Sequence, residues 1–359
     1  MKLKDFVIFN PKEKLVKNEI YRKISMDQIT PFTRYIKSEN FESYKGGSKF
    51  KNGDTIFARI TPCLENGKTC FVNSLNNDEI AFGSTEFIIV RAKQGISLPL
   101  FVFYLFTTEK IRSKAIISMT GSSGRERVQQ VALDNIEIPN YPLTFQQHIV
   151  NTIGSVDDLI ENYNKKIEKL MNLGLIKINL LNSKKNKIDL SSITKFEKGN
   201  ELGSSNYFDY YKDNFINYIR VGDLLSLSNT YVDKNICNKF VEEEDILIAM
   251  DGAPGRNAIG LNGSYSSGLY KMLCNKDKKG LVYFELNSDL NQNIIKNMSQ
   301  GTTILHASKS IPFLKTIEID EKENEYFNNI FNEIFILKKK VSLLKNIKDK
   351  LLIKYFTNQ

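Results

Sequence analysis

Cysteine and histidine are scarce in this chain of 359 residues. The four cysteines form no Cys-x-x-Cys pair, and only two histidines are present. Because structural zinc sites need closely spaced thiolates and imidazoles, the sequence indicates no metal site. We interpret the cysteines as reduced packing residues. The residues concerned are Cys63, Cys70, Cys237, Cys274, His148 and His306.

Long apolar runs are missing as well. Residues 1–14 lack the apolar core of a signal peptide. No later run approaches the ~20 apolar residues that span a bilayer. The sequence therefore predicts a cytoplasmic location and no membrane partner.

Complete catalytic motifs are also absent. Residues 66–69, Asn-Gly-Lys-Thr, resemble the end of a phosphate-binding loop, yet Pro62 occupies the position where that motif has its first glycine. The motif depends on this glycine, so a turn between two strands is the better interpretation. Ser122 and Ser123 lie between glycines, but they are not part of a Gly-x-Ser-x-Gly elbow, which makes a serine hydrolase a weak hypothesis.

Methyltransferase motifs are missing too. The chain has neither a glycine-rich cofactor loop after a strand nor the Asn/Asp-Pro-Pro-aromatic tetrad of enzymes that methylate base amino groups. A nuclease-like metal site could be built from Asp54, Glu65 and Lys68, although acidic residues near lysines are common in any sequence. We therefore predict no catalytic residues and no cofactor bound by this chain.

Positive charge is present in excess. Lysine and arginine number 50 against 41 acidic residues, which gives a formal net charge of +9. Such an excess favours a polyanionic partner such as nucleic acid. The length and the 41% hydrophobic content are sufficient for about two or three domains with buried cores.

The second half of the chain repeats the order of features in the first at an offset of roughly 180 residues. In each half a strand-like run ends at a turn with proline and glycine, and a turn of small residues then leads into another strand. The first pair of segments is 53–62 and 244–255. The second pair is 83–85 before a strand at 86–90, and 266–268 before a strand at 269–273.

Each half continues with a helix, a loop of glycine and hydroxyl residues, and a short apolar strand. The helices are predicted at about 99–117 and 288–299, and the loops at 121–125 and 301–303. The closing strands are predicted at 136–139 and 317–319.

An amphipathic pattern ends each half, with apolar residues at alternating spacings of four and three. This pattern is typical of a long helix that pairs with another helix along a narrow seam. Lys348 is the polar exception in the second seam. The predicted helix-pairing residues are Ile149, Ile153, Val156, Ile160, Tyr163, Ile167 and Leu170 in the first helix, and Ile330, Ile334, Leu337, Val341, Leu344 and Leu351 in the second.

The two helices suggest a simple architecture. Since each follows its own globular segment, we expect them to lie antiparallel and to hold the globular segments apart in pseudo-twofold symmetry. The predicted fold class is α+β, with two pseudo-symmetric mixed α/β domains separated by two long antiparallel coiled-coil helices.

This order of features resembles the specificity subunit of type I restriction-modification systems over essentially the whole chain. The resemblance rests on the duplication and on three segments: 57–60 (Phe-Ala-Arg-Ile) with the Pro62 turn, 120–125 (Thr-Gly-Ser-Ser-Gly-Arg), and 138–147 leading into the first long helix. The second half departs from the pattern, because 318–322 (Glu-Ile-Asp-Glu-Lys) replaces the proline-rich lead into its helix.

The resemblance implies that each globular half is a target-recognition domain that reads one half of a bipartite DNA sequence. The helices would set the spacer and dock two methyltransferase subunits, which carry S-adenosylmethionine. Restriction subunits, which use ATP and Mg, can join the complex. The implied domains are target-recognition domain 1 (1–144), the first long helix (145–183), target-recognition domain 2 (184–323) and the C-terminal helix (324–359).

Loops beside the repeated strands supply candidate DNA contacts. Arginine, asparagine and glutamine read base edges, whereas lysines and hydroxyl groups contact phosphates. A surface ion pair is the alternative for each arginine, and we expect Tyr265 and Tyr270 to be core residues rather than base-stacking ones. The candidates are Arg59, Thr61, Lys68, Ser122, Ser123, Arg125 and Arg127 in the first half, and Arg256, Asn257, Lys271, Thr302, Thr303, His306 and Lys309 in the second.

Two other functions remain compatible with the sequence. A coiled-coil scaffold would owe its basic charge to lysine-rich composition and would show no salt-dependent affinity for DNA. A standalone nuclease would use Asp54 or Asp251 with a metal ion, and the purified chain would cleave DNA by itself.

Overall fold

The computed structural model describes residues 1–34, 36, 38–225, 230–301 and 305–356. It divides into two compact units. Unit 1 consists of Met1–Ile160 and Leu344–Gln359, and unit 2 consists of Glu161–Leu343. Each unit contains clusters of buried apolar side chains of its own.

The part of unit 1 before the first long helix is a mixture of helices and short strands. Its elements are α1 (Leu3–Phe6), β1 (Val7–Phe9), β2 (Ile20–Ile24), β3 (Phe41–Ser43), β4 (Lys49–Phe50), β5 (Thr55–Ala58), β6 (Thr69–Phe71), β7 (Ala81–Gly83), β8 (Phe87–Ala92), α2 (Pro99–Thr107), α3 (Glu109–Ile117) and α4 (Gln130–Asp134). The strands form two sheets, with the orders β1-β8-β5-β6 and β3-β2-β7-β4.

Strands β5 and β8 lie at the buried centre of the first sheet. They pair antiparallel, with Thr55 opposite Val90 and Ala58 opposite Phe87. Every residue of β5 and the first part of β8 are buried. This explains why both strands have continuous apolar sequences instead of the alternation expected for a half-exposed strand.

The helical stretch predicted at about 99–117 is two helices, α2 and α3. Pro99 begins α2 at a position where a helix needs no backbone N–H. Thr108 then ends α2, because its backbone is extended and its hydroxyl donates to the Leu105 carbonyl at 2.6 Å. Helix α2 is buried on nearly all sides, as expected for an apolar helix within a core.

The strand predicted at 136–139 is wrong. Glu137 forms only an isolated bridge with Lys2. The Leu3 N–H donates to the Ile136 carbonyl at 2.8 Å, but Leu3 is also the first residue of α1. The pairing stops there because the partner segment turns into a helix.

The first long helix, α5 (Leu143–Lys184), contains the predicted range 145–183. Gln146 in its first turn is completely buried. Its amide nitrogen donates to the carbonyls of Ile96 and Tyr141, both at 2.8 Å, and its oxygen accepts from the Leu98 N–H at 2.8 Å. The glutamine therefore fixes the start of α5 to the loop before α2.

Unit 2 repeats the mixture of short strands and helices. Its elements are β9 (Lys187–Asp189), β10 (Thr194–Lys198), β11 (Phe215–Ile219), β12 (Tyr231–Asp233), β13 (Phe240–Val241), β14 (Leu247–Ala249), β15 (Asn257–Ala258), β16 (Gly263–Tyr265), β17 (Leu269–Cys274), α6 (Lys279–Asn287), α7 (Asp289–Met298), β18 (Lys315–Ile317) and α8 (Glu321–Phe356). Helix α8 continues into unit 1. The sheets have the orders β10-β17-β14-β15, β12-β11-β16-β13 and β18-β9.

The two units share their strand topology. The first sheet of each unit has the same order and the same antiparallel pairing between its central strands. In the second sheets, β2 and β7 pair in parallel with Ile24 opposite Gly83, and β11 and β16 pair in parallel with Ile219 opposite Tyr265. The duplication seen in the sequence is therefore a duplication of mixed α/β topology.

Within unit 1, the start of α5 packs against the end of α8. The His148 imidazole lies 3.0 Å from the Tyr355 hydroxyl, and the Lys348 ammonium donates to Asp157 at 2.7 Å. Tyr104 of α2 donates to the same carboxylate at 2.8 Å. Residues later in α5 thus meet residues earlier in α8, so these segments run antiparallel. Lys348, the polar exception of the seam, is a buried partner of Asp157.

Within unit 2, the later part of α5 and the earlier part of α8 also run antiparallel. Lys166 pairs with Glu333 at 2.6 Å, and Lys185 pairs with Glu323 at 2.5 Å. All the predicted seam side chains are buried or half-buried. Helix α8 begins at Glu321, three residues before the expected start at 324.

Candidate DNA interface

In unit 1, the loop of residues 121–126 is fixed beside the end of β5. The backbones of Thr120 and Arg127 exchange two hydrogen bonds, of 3.1 and 2.9 Å, which close this loop. We call residues 121–126 the unit 1 loop. The next residue, Val128, donates its N–H to the Arg59 carbonyl at 2.8 Å. The loop therefore emerges next to the turn that follows β5.

Unit 2 has the same junction. The backbones of Gln300 and His306 exchange hydrogen bonds of 3.0 and 2.8 Å. Between them lie residues 301–305, which we call the unit 2 loop. Residues 302–304 of this loop lie outside the described part of the chain. The Ala307 N–H then donates to the Met250 carbonyl at 2.8 Å. Arg59 directly follows Ala58, which pairs with the first residue of β8, and Met250 directly follows Ala249, which pairs with the first residue of β17. The two junctions are therefore equivalent.

Both junctions carry an ionisable pair at the end of the loop. In unit 1 the Arg127 guanidinium donates to the Glu86 carboxylate, with a shortest distance of 2.7 Å. This hydrogen bond raises the pKa of Arg127. In unit 2 the equivalent His306 places Nδ1 2.8 Å from the Asp251 carboxylate. Each pair ties the residue that follows a loop to the strand or turn beside it.

Comparisons with known proteins relate part of this chain to DNA specificity proteins. The family model described as "Type I restriction modification DNA specificity domain" matches residues 1–172. The specificity subunits of the Escherichia coli type I restriction enzymes EcoAI and EcoEI are each 35% identical to this chain, over 106 and 120 residues respectively. Residues 1–172 are therefore similar to the DNA specificity domain of type I restriction-modification systems. The resemblance drawn from the sequence is thus confirmed.

The extent of these matches differs between the relatives. The alignments cover 30% and 32% of this chain, but only 18% and 19% of the EcoAI and EcoEI subunits. The type I restriction-modification system S subunit from M. genitalium has the same fold, with a TM-score of 0.56 and 18% identity. That match covers 100% of this chain and 96% of the M. genitalium chain.

The unit 1 loop presents three of the predicted DNA contacts, Ser122, Ser123 and Arg125, to solvent. Within the described ranges, the Arg125 guanidinium has no hydrogen bond or ion pair. Arg127 is 41% exposed although it is paired with Glu86. The structure thus brings these four residues together, three on the unit 1 loop and Arg127 directly after it.

The other three predicted contacts of unit 1 are less accessible. Arg59 is 37% exposed, and its Nε lies 4.0 Å from Glu86. Thr61 is half-buried in the turn after β5. The Lys68 ammonium donates to the Met26 carbonyl at 2.6 Å, so this lysine already has a structural role. Their contacts with DNA stay predictions.

In unit 2, the predicted contacts divide in the same way. Arg256 is half-buried and Lys309 exposed, and neither side chain has an ion pair among the described residues. Asn257 exchanges amide hydrogen bonds of 3.0 and 3.1 Å with Asn287. Lys271 is 18% exposed and donates to a backbone carbonyl at 2.7 Å. Asn257 and Lys271 therefore support the fold of the unit.

The remaining predictions for unit 2 concern its loop. Thr302 and Thr303 lie outside the described residues. His306 is 60% exposed at the end of the loop, beside Asp251. Tyr265 and Tyr270 are both buried, as expected for core aromatic residues.

Of the residues considered for catalysis or nucleotide binding, Asp54 and the turn at 66–69 have structural roles. Asp54 is completely buried, and both of its carboxylate oxygens accept from Arg91, at 2.6 and 2.7 Å. Residues 66–69 form the end of a turn and the start of β6, with Gly67 at φ 76°. The four cysteines are unbridged, and burial raises the pKa of the Cys70 thiol.

Sequence reasoning missed one exposed guanidinium close to the unit 2 junction, that of Arg220. It follows β11, and its side chain is 47% exposed. A signal was present, because residues 161–343 contain only two arginines, Arg220 and Arg256. None of the described helices is long and apolar enough to cross a membrane.

Proposed function

We propose that this chain is the sequence-specific DNA-binding subunit of a type I restriction-modification complex. Each unit reads one half of a bipartite target. The observation that carries the proposal is the repeated junction, in which backbone hydrogen bonds close a loop beside the end of a buried strand, with Ser122, Ser123 and Arg125 exposed on the unit 1 loop. A duplicated reader fits a target made of two separate parts.

Base edges and phosphates are contacted by different groups. The exposed Ser122 and Ser123 hydroxyls are suited to phosphates, whereas a guanidinium such as that of Arg125 can read a base in the major groove. The net charge of +9 attracts DNA without regard to sequence. The loops then supply the sequence preference.

The proposed division of labour follows the family resemblance. Residues 1–144 and 184–323 act as target-recognition domains, and the coiled-coil helices at 145–183 and 324–359 run antiparallel, set the spacer and dock two methyltransferase subunits. S-adenosylmethionine binds to those subunits, and restriction subunits that use ATP and Mg join the complex. The complex works in the cytoplasm.

In this proposal the chain has no catalytic activity of its own. Nuclease chemistry at Asp54 would require a carboxylate that is accessible to a metal ion, but Arg91 covers both of its oxygens in the core. Asp251 is engaged with His306. Catalysis therefore belongs to the partner subunits.

The test is genome-wide mapping of methylated bases in the native host, with and without the gene, together with affinity purification of the chain. We expect a methyltransferase to co-purify and one split methylated motif to disappear on deletion. Complementation with the Ser122→Ala/Arg125→Ala chain should alter only one half of that motif, since both residues lie on the unit 1 loop.

An unchanged methylome and no co-purified methyltransferase would contradict the proposal and favour the scaffold. Metal-dependent cleavage of DNA by the purified chain alone would favour the nuclease. Affinity for duplex DNA that falls steeply with salt separates the proposal from the scaffold as well, because counterion release accompanies phosphate contacts.

A further inference from the structure

Unit 2 contains a recess of about 400 Å³ beside its junction. One wall is the aromatic ring of Tyr207, and the others carry charged and small residues. The lining residues are Glu201, Tyr207, Arg220, Val221, Gly222, Asp223, Ser266 and Gly268. The recess thus combines an aromatic face, a guanidinium and two carboxylates.

The recess lies where unit 1 has a charged side chain. The Arg59 N–H donates to the Glu86 carbonyl at 3.0 Å, and its unit 2 equivalent, Met250, donates to the Gly268 carbonyl at 3.0 Å. Glu86 and Gly268 are therefore equivalent positions. In unit 1 the Glu86 carboxylate occupies this place and pairs with Arg127, whereas Gly268 leaves it open next to Asp251.

The Arg220 guanidinium is fixed at this recess by several neighbours. It lies 5.9 Å from the centre of the Tyr207 ring and donates to the Thr230 hydroxyl at 3.0 Å. Its Nε is 3.9 Å from Asp223, whose carboxylate also accepts from the Arg220 N–H at 2.7 Å. A guanidinium that is oriented by its neighbours and still 47% exposed is prepared for directional recognition.

The recess is better matched to a base pair than to a phosphate. A G·C pair presents acceptors on guanine and an amino donor on cytosine in the major groove. Arg220 supplies donors, and Glu201 supplies an acceptor. Its Oε1 accepts from the Tyr207 hydroxyl at 2.5 Å and from the Gly203 N–H at 3.4 Å, and its Oε2, which accepts only a long hydrogen bond of 3.4 Å from Ser267, keeps a further lone pair. Two carboxylates in the lining repel a phosphate.

We propose that Arg220 is a specificity-determining residue of unit 2 that reads the major-groove edge of a guanine, with Glu201 beside it to accept from the paired cytosine. This inference rests on the proposed function, because it assumes that unit 2 faces DNA. Arg256 is the only other arginine between residues 161 and 343, and its side chain does not line the recess.

The test is selection from a library of randomised DNA duplexes with the purified full chain. Arg220→Lys keeps the charge but removes the planar fork of donors. At one position of one half-site we expect the preference for guanine to fall roughly 5- to 150-fold, with the rest of the motif retained. The dependence of affinity on salt should stay the same, because the charge is unchanged.

Gly268→Glu provides a second, independent variant. It introduces the residue found at the equivalent position of unit 1, and its Cβ would meet Val221 at 3.1 Å, a tight but small overlap. The backbone of Gly268 does not have the positive φ that would exclude a side chain. Filling the recess should relax the same guanine position as Arg220→Lys.

A matched pair of charge deletions controls for general electrostatics. Arg220→Ala and Lys276→Ala each remove one positive charge from unit 2, and Lys276 is exposed away from the recess lining. Only Arg220→Ala should change the preferred sequence. Thermal melting of all variants checks that they fold like the wild type.

The outcomes separate the inference from the proposed function. If the wild-type chain selects no split motif, the proposed function fails. If the wild type selects a motif and folded Arg220→Lys keeps every base preference, the inference alone fails. A loss of affinity for all sequences alike in Arg220→Lys would also overturn it, because that is the behaviour of a phosphate contact.

Discussion

Units 1 and 2 share a backbone framework but differ in the side chains placed on it. The same hydrogen bonds fix the loop to the strand end in both. At equivalent positions, however, unit 1 has Arg127 and Glu86, and unit 2 has His306 and Gly268. The comparison teaches that main-chain hydrogen bonds define the junction, so its side chains are available to differ between the two half-sites.

The interiors of the units differ as well. The Thr108 hydroxyl donates to the Leu105 carbonyl at 2.6 Å, and the Ser288 hydroxyl donates to the Glu285 carbonyl at 2.8 Å. Leu105 and Glu285 are therefore equivalent, and both are buried. Unit 1 has an apolar residue where unit 2 has a carboxyl group. The following predictions use such differences between the units.

The largest effect should come from the buried ion pair of unit 1. Both oxygens of Asp157 accept hydrogen bonds, one from Lys348 and one from Tyr104. Asp157→Ala leaves the lysine charge buried without its partner, and this should lower the free energy of unfolding by about 3–5 kcal/mol. Urea denaturation, with hydrogen exchange of amides in α2 as the local probe, measures the loss.

The helix pair in unit 2 provides the control for this experiment. Lys166 and Glu333 are 54% and 41% exposed, and exposed ion pairs contribute only about 0–1 kcal/mol. Glu333→Ala should therefore have little effect. Equal losses in the two variants would contradict the assignment of Asp157 as the critical partner.

The second prediction concerns the acidic interior of unit 2. Burial raises the pKa of the Glu285 carboxyl from 4.5 to about 7, against an opposing hydrogen bond from Asn182. The folded state therefore binds a proton more tightly than the unfolded state. The stabilisation is complete below about pH 4.5 and is lost as the pH rises through about 7, a change of about 3 kcal/mol.

Glu285→Leu introduces the unit 1 residue and should remove this pH dependence. The measurement is the urea midpoint of wild type and variant between pH 4.5 and 8, with amides of α6 as the local probe. Glu285→Gln, which keeps the shape of the side chain, should also flatten the curve. If the urea midpoint depended on pH in the same way for the wild type and both variants, Glu285 would not control the pH dependence.

The third prediction compares two glycines on α5. A Cβ at Gly154 in unit 1 would meet no atom closer than 3.8 Å, whereas a Cβ at Gly174 in unit 2 would lie 2.1 Å from the Phe284 ring. Gly154→Ala should stabilise the helix by roughly 0.5–1 kcal/mol. Gly174→Ala should destabilise unit 2 by about 1–3 kcal/mol, because the buried ring must move.

Thermal melting measures both glycine variants. A higher melting temperature for Gly154→Ala and a lower one for Gly174→Ala would confirm that neighbouring side chains lie closer to α5 in unit 2 than in unit 1. Shifts of the same sign would contradict that difference.

Much of the fold could be predicted from sequence, because the informative patterns are local. The heptad spacing predicted the long helices α5 and α8, and the ordered duplication predicted mixed α/β units. Helix α6 was not recognised, since its sequence has weak amphipathic periodicity and a glycine that approaches Phe327. The strand predicted at 136–139 failed because its partner segment becomes α1.

The DNA interface was less predictable, because residue type does not reveal which polar groups are already engaged. Lys68 and Lys271 are suitable phosphate contacts by type, yet both ammonium groups donate to backbone carbonyls. Arg220 was overlooked because it follows β11, a strand of the second sheet of unit 2, whereas the predicted contacts were sought beside the strands repeated in the sequence. Only the fold brings it close to Gly268 at the junction.

The smallest effect should come from one exposed charge, and it sharpens the comparison between the loops. Arg125 has no ion pair within the described ranges, whereas Arg127, directly after the same loop, is held by Glu86. If Arg125 contacts a phosphate, Arg125→Ala weakens binding to all sequences and lowers the slope of log K against log salt by about 1. If it reads a base, only one position of the unit 1 half-site relaxes. Glu86→Gln frees Arg127 without adding a positive group to unit 1, so increased affinity in this variant would show that the ion pair restrains the second guanidinium beside the loop. Unchanged affinity in both variants would place the unit 1 loop away from DNA and would end the equivalence of the two loops as readers.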